Sequence, residues 1–365
     1  MVWQGQRNIF EIVDPRTTDE NGILQGKDSL SVYGKRQSAT VRRLLSWYTR
    51  AKRDLPWRRT RDPYRILVSE IMLQQTRVNA VIPYYERFLD RFPSVEALAE
   101  APEAALLNAW AGLGYYSRAR NLKKTARLVA AAGEFPRDYD GLLALPGVGP
   151  YTAAALASIC FGLPHAVLDG NVMRVLARML NDSGDLREPT TRRRLEEAAN
   201  RLLDQRDPAL FNQAMMELGA TVCLPRRPQC LVCPLANVCN ARRLGRQLEL
   251  PVKSKAKETV YLRRTVLLIR RRGRILLRQR PASSSLMPGF WELPESGDVP
   301  GAVEKGEIGT FRHSVTHHNY TFAVHSACVT GTPRGFYWKS EKVLHEIPLS
   351  TTAKKAMLCL GRKKA

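Results

Sequence analysis

The stretch CLPRRPQCLVCPLANVC, residues 223–239, decides how this chain is interpreted, because it brings four cysteines into a short segment. They are Cys223, Cys230, Cys233 and Cys239, in the pattern C-x6-C-x2-C-x5-C. In a reducing compartment such a quartet favours a metal centre over disulfides. The centre is either a zinc ion or an iron–sulfur cluster, and the spacing alone does not decide between them.

The charge of the chain points to the class of partner. Lys and Arg number 57 against 34 Asp and Glu, a formal net charge of +23. This excess favours nucleic acid, through neutralisation of phosphates, ahead of an anionic membrane surface. Because no secretory signal and no apolar run long enough to span a bilayer is found, the sequence predicts a cytoplasmic protein.

The first two thirds of the chain have a helical pattern. Residues 1–38 are polar without a sustained period, which predicts a disordered tail. From Val41 to about Thr221, apolar residues recur with helical spacing between short turn signals. Together with the cysteine run, this pattern predicts an all-α domain over 39–245 with a metal-binding loop at 223–239.

The last third has a different pattern. After a basic linker at 246–258, residues 260–281 (VYLRRTVLLIRRRGRILLRQRP) indicate two strands joined by a turn at Arg272-Gly273. Residues 319–330 (NYTFAVHSACVT) indicate a third strand. A smaller α+β domain is therefore predicted over 259–360.

A glycine turn precedes a helix at 145–157 (LPGVGPYTAAALA). Glycines allow backbone amides to approach a phosphate, and the N-terminus of the following helix favours an anion. The turn therefore predicts a helix–hairpin–helix contact with the DNA backbone through Pro146, Gly147, Val148 and Gly149. The alternative is a tight connection between two helices without a ligand.

Two carboxylates are candidates for catalysis. Glu70 lies in an apolar helical segment, where burial would raise its pKa and suit it to act as a general acid. Asp169 precedes a helix, which is typical of an N-cap, and a helix N-terminus would keep it ionised to face a developing cation. An acid paired with a stabilising carboxylate is an arrangement used to cleave glycosidic bonds.

Several strings together resemble one family. They are SEIMLQQTRV (69–78), GLGYYSRARNL (112–122), LDGNVMRVLAR (168–178), FNQAMMELGATVC (211–223), the glycine turn and the cysteine spacing. In this combination they resemble the adenine DNA glycosylase (MutY) family, within the endonuclease III superfamily. The resemblance covers 41–245 and, more weakly, 259–360. It implies an all-α helix–hairpin–helix glycosylase domain with a [4Fe–4S] cluster, followed by a Nudix-like domain.

The resemblance also implies roles for individual residues. Glu70 would protonate the adenine, Asp169 would stabilise the sugar cation, and Tyr151 and Asn171 would line the site. Lyases of the superfamily carry a lysine where this chain has Tyr151, which implies a monofunctional enzyme. Further residues match positions near the adenine or at the vacated base stack: Arg53, Leu55, Trp57, Arg58, Gln213, Gln74, Gln75 and Tyr115. Arg226 and Arg227, between the first two cysteines, would face DNA phosphate.

The C-terminal domain is similar to the module that recognises 8-oxoguanine opposite the adenine. Residues 287–297 (MPGFWELPESG) look like the start of a Nudix fold, but the acidic hydrolase signature is missing. Val315-Thr316-His317 aligns with the recognition loop. Thr316 keeps a hydroxyl for the lesion, whereas Val315 replaces a large aromatic residue. His317 is also expected to contact the substrate.

The expected partner is double-stranded DNA with adenine opposite 8-oxoguanine or guanine. The chain is expected to act as a monomer at a bacterial-type nucleoid. Two alternatives remain open. One is an endonuclease III-like or thymine-mismatch glycosylase, and the other is a damaged-DNA binding module without activity.

Overall fold

The computed structural model describes residues 28–254, 258–281, 283–284, 287–315 and 317–361. For 28–38 and residue 361 only the backbone is described. The described residues form two compact units. One unit contains the chain up to Glu70 and resumes over Phe135–Ser254, and the other combines Ile71–Glu134 with the C-terminal part.

The helices carry most of the described chain before Arg243. In chain order they are α1 (Asp28–Ala51), α2 (Pro63–Leu73), α3 (Val78–Arg91), α4 (Val95–Glu100), α5 (Glu103–Ala109), α6 (Ser117–Ala132), α7 (Tyr139–Leu143), α8 (Pro150–Phe161), α9 (Gly170–Leu180), α10 (Pro189–Leu202), α11 (Pro208–Thr221), α12 (Asn240–Arg243) and, near the C-terminus, α13 (Thr351–Met357).

Helix α1 begins earlier than the sequence pattern indicates. Residues 28–38 are helical, so the predicted disordered tail is wrong for this part, and residues 1–27 lie outside the described residues. From Val41 on, the predicted apolar spacing does bury one face of α1, including Leu44 and Tyr48. Among the described residues, no helix is long and apolar enough to cross a membrane.

Helix α8 lies in the core of the first unit. All its residues from Thr152 to Ile159 are buried, as expected for a helix that is apolar on every side. It begins at Pro150 and ends at Gly162, whose φ of 69° is a left-handed conformation that glycine adopts without strain. Helix α7 packs against α8, and the predicted glycine turn connects the two.

The C-terminal part forms a six-stranded mixed sheet. Its strands are β1 (Val260–Arg271), β2 (Arg274–Gln279), β3 (Trp291–Glu292), β4 (Val303–Val315), β5 (His318–Cys328) and β6 (Phe336–Ser340). The order is β3-β2-β1-β5-β4, with β6 also paired to β2. Strands β1 and β5 are parallel, whereas β1–β2 and β4–β5 are antiparallel hairpins.

The predicted strands in this region are confirmed. Arg272 and Gly273 form the turn between β1 and β2 with φ values of 48° and 68°, as a tight two-residue hairpin requires. One face of the sheet, including Val266 and Phe322, packs against Ala353 and Ala356 of α13. The fold class, a helical part followed by a smaller sheet domain, is confirmed.

Residues from the predicted helical domain also pack on the sheet domain within the second unit. The rings of Tyr116 and Phe290 are 4.1 Å apart, and the Asn108 amide donates to the His345 carbonyl at 2.6 Å. Arg120 donates to the carbonyl of Pro288 at 2.5 Å. The domain boundaries 39–245, 246–258 and 259–360 stay predictions.

Candidate active site

Glu70 is a buried acid on α2, with 5% of its surface exposed. The Tyr151 hydroxyl, on the first turn of α8, donates to Glu70 Oε2 at 2.5 Å. Burial raises the pKa of Glu70 to about 7, although the Tyr151 hydrogen bond and the Arg58 charge lower it. Near neutral pH the carboxyl therefore exists in both protonation states, as an acid–base group requires.

Asp169 caps α9, as its sequence position predicts. Its Oδ1 accepts from the Asn171 and Val172 amides at 2.9 and 2.7 Å, and Oδ2 accepts from Asn171 Nδ2 at 2.8 Å. That the helix N-terminus keeps Asp169 ionised stays a prediction. Burial raises the pKa of Asp169 by more than these donors lower it. The charge of Asp169 also raises the pKa of Glu70, so the two carboxylates interact.

Arg174 fixes the Asn171–Asp169 pair, and the sequence analysis missed it. Its Nη2 donates to Asn171 Oδ1 at 2.8 Å and to the Gly219 carbonyl at 2.7 Å. Helices α9 and α11 approach so closely here that a Cβ on Gly219 would lie 2.6 Å from Asn171 Cβ. The available signal was an arginine three residues after Asn171, on the same side of the helix.

Arg53 and Arg58, predicted near the adenine, are held by a third residue that the sequence analysis missed. Glu217 is fully buried, and its carboxylate accepts from Arg53 Nη2 at 2.7 Å and from Arg58 Nη2 at 2.8 Å. Burial alone would raise the pKa of Glu217, but these hydrogen bonds and charges lower it to about 2. Glu217 stands in an apolar helical segment, which is the signal that identified Glu70.

The remaining residues predicted near the adenine belong to the same unit. Trp57 is buried in a short 3₁₀ turn, and Leu55 is buried at the residue before that turn. Gln213 accepts a hydrogen bond from the Tyr48 hydroxyl at 2.7 Å. Contact of these three residues with a base stays a prediction.

Gln74, Gln75 and Tyr115 lie in the second unit, on two loops that Arg118 ties together. The Arg118 guanidinium donates to the carbonyls of Gln74 and Gly114, at 2.5 and 3.2 Å. Gln75 and Tyr115 have φ values of 59° and 47°, a strained conformation for residues other than glycine. Tyr115 is 51% exposed, so its ring is available to a ligand.

The predicted helix–hairpin–helix turn is formed by Pro146, Gly147, Val148 and Gly149. Gly147 has a φ of 79°, and Gly149 is the residue before the first turn of α8. A Cβ on Gly149 would meet no atom within 4 Å, so the backbone is open to a ligand on this side. The turn suits a phosphate, and its contact with DNA stays a prediction.

The four cysteines of residues 223–239 are partly buried in one loop. Burial raises the pKa of Cys233 to about 11, and the thiols of Cys223, Cys239 and Cys230 add to the rise. Arg178, on α9, donates to Cys223 Sγ at 3.2 Å. Two arginines in this loop, Arg226 and Arg227, are exposed.

The predicted recognition loop is the tip of the β4–β5 hairpin. Val315 ends β4 and His318 begins β5. The rings of His317 and His318 are 4.1 Å apart. Thr316 lies outside the described residues.

Comparisons with known proteins identify the family of the chain. Residues 68–201 match the family model of the HhH-GPD superfamily base excision DNA repair proteins, and residues 265–358 match the NUDIX domain. Human adenine DNA glycosylase is 34% identical over 414 residues, covering 88% of this chain and 76% of that protein. The chain belongs to the adenine DNA glycosylase family. It is accordingly a DNA glycosylase of base excision repair.

Two further proteins, one compared by sequence and one by structure, are also similar to this chain. The adenine DNA glycosylase of Mycolicibacterium smegmatis is 44% identical over 205 residues, covering 55% of this chain and 69% of that protein. A solved thermostable thymine-DNA glycosylase is 31% identical, with a TM-score of 0.53, and covers 58% of this chain and 99% of that chain. The thymine enzyme therefore shares the helical fold with this adenine DNA glycosylase.

Replacing Tyr151 by phenylalanine is expected to shift the pH dependence of base release. The tyrosine hydroxyl stabilises the charged form of Glu70 and lowers its pKa, so its removal raises that pKa further. The fall of the rate on the alkaline side should then occur at higher pH than in the unmodified enzyme. Single-turnover rates measured from about pH 6 to about pH 9 determine this shift. A fall at lower pH would contradict the geometry.

Proposed function

We propose that this enzyme excises adenine mispaired with 8-oxoguanine or guanine in double-stranded DNA, as a monofunctional glycosylase. The observation that carries the proposal is the buried Glu70 carboxyl, with a pKa of about 7 and a hydrogen bond from Tyr151. The capped Asp169 carboxylate, which interacts with it electrostatically, supplies the second group. The adenine must leave the duplex to reach such a site.

In the first step, protonated Glu70 donates its proton to N7 of the flipped adenine. The bond between the base nitrogen and C1′ of the deoxyribose then breaks, and its electron pair leaves with the base. The sugar becomes an oxocarbenium-like cation. The Asp169 carboxylate, oriented by Asn171 and by the α9 amides, stabilises that cation.

In the second step, water completes the reaction. The Glu70 carboxylate, now ionised, accepts a proton from a water molecule whose oxygen bonds to C1′. The products are free adenine and an abasic site. The Tyr151 hydroxyl supports this role because it donates to the ionised carboxylate. A phenol does not form the Schiff base of a lyase, which supports a monofunctional enzyme.

Residues elsewhere would hold the DNA. The exposed Tyr115 ring and Gln74 and Gln75, on their strained loop, would fill the stack that the adenine vacates. Thr316 and His317 would read the base opposite. One copy of the chain carries all these residues, so the proposal needs only a monomer. With genomic DNA as substrate, we expect the enzyme in the cytoplasm, at the nucleoid.

The cysteine loop suits a [4Fe–4S] cluster, held by Cys223, Cys230, Cys233 and Cys239. Within the described part of the chain, no group of three His, Cys, Asp or Glu side chains that could hold a metal ion is found, so the proposal rests on the donor set of four thiols. Arg178, 2% exposed, also places a buried positive charge against Cys223, which an anionic thiolate cluster would balance. When bound, the cluster would stabilise the loop that carries Arg226 and Arg227.

The purified protein is expected to be brown and to contain about four irons per chain. Iron and zinc analysis measures this composition without reference to activity. Exchange of Cys230 for serine should lower the iron content, whereas the same exchange at Cys328, outside the quartet, should not. A colourless protein with one zinc would overturn the cluster assignment.

A panel of duplexes tests the substrate. Adenine should be released opposite 8-oxoguanine and opposite guanine, and much more slowly opposite thymine. Thymine opposite guanine and thymine glycol should remain intact. Release of thymine or thymine glycol without release of adenine would support the endonuclease III-like or thymine-mismatch alternative. Binding of these duplexes without release of any base by iron-loaded protein would support the binding module.

The panel uses point variants instead of a truncated protein. The C-terminal domain contacts Asn108, Tyr116 and Arg120, so its removal would expose surface in the helical part of the second unit. A Thr316→Ala variant, tested with the same duplexes, examines the recognition loop with the rest of the protein intact. Its preference for 8-oxoguanine over guanine should decrease.

A further inference from the structure

One buried arginine binds the backbone of two separate segments in the second unit. Arg118, at the start of α6, is 9% exposed and has no part in the proposed chemistry. Its two terminal nitrogens donate to five backbone carbonyls: Nη1 to those of Ile71, Met72 and Gln74 at 2.8, 3.3 and 2.5 Å, and Nη2 to those of Leu113 and Gly114 at 3.1 and 3.2 Å. A single guanidinium therefore joins the end of α2 to the loop that precedes α6.

The surroundings of Arg118 are unusual for a buried positive charge. Such a charge normally needs a carboxylate partner, but the five acceptors here are all carbonyl oxygens. The carbonyls of Ile71 and Met72 belong to the last turn of α2, where they lack partners within the helix and carry the negative end of its dipole. Burial lowers the pKa of Arg118, so the charge is placed here against a desolvation cost. What that cost achieves is a fixed position for the two segments.

The hydrogen bonds of Arg118 reach the two strained residues of these loops. Gln75, with a φ of 59°, directly follows Gln74, and Tyr115, with a φ of 47°, directly follows Gly114. In both cases Arg118 binds the carbonyl of the peptide group that enters the strained residue. The guanidinium also lies 5.6 Å from the centroid of the Tyr115 ring. Strained residues persist only where their surroundings hold them, and Arg118 provides that hold for both.

We propose that Arg118 is a positioning residue that keeps both loops in the conformation in which they enter the duplex. This inference rests on the proposed function, in which Gln74, Gln75 and Tyr115 fill the vacated stack. With Arg118 in place, the strain is met when the protein folds and not when it binds DNA. Without it, the loops would relax and would have to be strained again in the complex. A smaller fraction of bound duplexes would then have an extrahelical base.

The fluorescence of 2-aminopurine tests the proposal. The base takes the place of the adenine opposite 8-oxoguanine, and it fluoresces strongly only when it leaves the stack. Full-length protein with Glu70→Gln binds this duplex without excising the base. At saturating protein every duplex is bound, so the rise in fluorescence measures the flipped fraction of the complexes. It does not depend on affinity or on the amount of folded protein.

Adding Arg118→Lys should lower the flipping equilibrium constant by about tenfold, as expected for one strained residue. Lysine keeps the charge, but its single nitrogen lacks the planar fork that spans both loops. With Glu70 intact, Arg118→Lys should slow single-turnover adenine release by a similar factor and leave its pH dependence unchanged. Arg127→Lys is the matched control, since Arg127 is exposed on α6 and donates to the Ala99 carbonyl at 3.3 Å. It should keep the full rise in fluorescence.

A full rise in fluorescence with Arg118→Lys, together with a lower melting temperature, would mean that Arg118 only stabilises the fold, and the proposal would be wrong. If Arg118→Lys does not fold, Trp110→Phe decides. Trp110 Nε1 donates to the same Gly114 carbonyl at 3.2 Å, so its loss should also reduce the rise. An unchanged rise with Trp110→Phe would then overturn the proposal. Failure of the proposed function would appear separately, as no adenine release by the unmodified protein.

Discussion

Replacing Glu70 by glutamine is expected to slow single-turnover adenine release by about 10²–10⁴-fold. Glutamine keeps the size of the side chain and can accept from the Tyr151 hydroxyl, but it cannot donate a proton to the base or accept one from water. Affinity for the DNA should remain, because the surface residues that would hold it are unchanged. A quenched-flow assay with enzyme in excess measures the rate, and gel retardation measures the affinity.

The pH dependence of the unmodified enzyme provides the second measurement for Glu70. The active form for the first step is protonated, and the pKa is about 7, so the rate should fall as the pH rises above that value. Glu100→Gln, at an exposed carboxylate on α4, is the matched control and should leave the rate unchanged. Glu70→Gln with an unchanged rate would remove Glu70 from the mechanism and favour another acid.

Replacing Glu217 by glutamine is expected to destabilise the first unit by about 3 kcal/mol or more, within the range for breaking a buried ion pair. The change leaves Arg53 and Arg58 without their shared counter-charge, and the Arg58 side chain is only 12% exposed. The effect should lie at the lower end of that range, since Arg53, 37% exposed, can still reach water. Thermal unfolding, monitored by circular dichroism, measures this change in the free energy of unfolding.

The contribution of Glu217 should also depend on pH. Its pKa is lowered from 4.5 to about 2 in the folded protein, so the carboxylate stabilises the fold fully above pH 4.5. That stabilisation is lost as the pH falls from 4.5 towards 2. The difference in melting temperature between the unmodified protein and Glu217→Gln should therefore shrink in that window.

Glu197→Gln is the matched control for Glu217. Glu197 forms an exposed ion pair with Arg201 on α10 at 3.4 Å, and such pairs contribute about 0–1 kcal/mol. The melting temperature of the Glu197→Gln variant should stay close to that of the unmodified protein. An equally small effect for Glu217→Gln would mean that the triad with Arg53 and Arg58 contributes little to stability.

The sequence by itself determined the features that depend on local spacing. These features are the cysteine quartet, the glycine turn before α8, the cap at Asp169 and the turn at Arg272-Gly273. Each of them is formed by residues that are close together in the sequence. Their geometry follows from backbone preferences that neighbouring residues set. Glu70 was identified for a related reason, because a charge in an apolar helical segment must be buried or functional.

Only the tertiary structure decided which distant groups meet. Tyr151 and Glu70 are 81 residues apart, and Arg53 and Glu217 are 164 apart, so no local pattern pairs them. The pKa of Asp169 is likewise a balance between burial by the whole fold and donors from its own helix, and burial prevails. Strand β5 lies between β1 and β4 in the sheet, a pairing that the separate strand patterns do not contain.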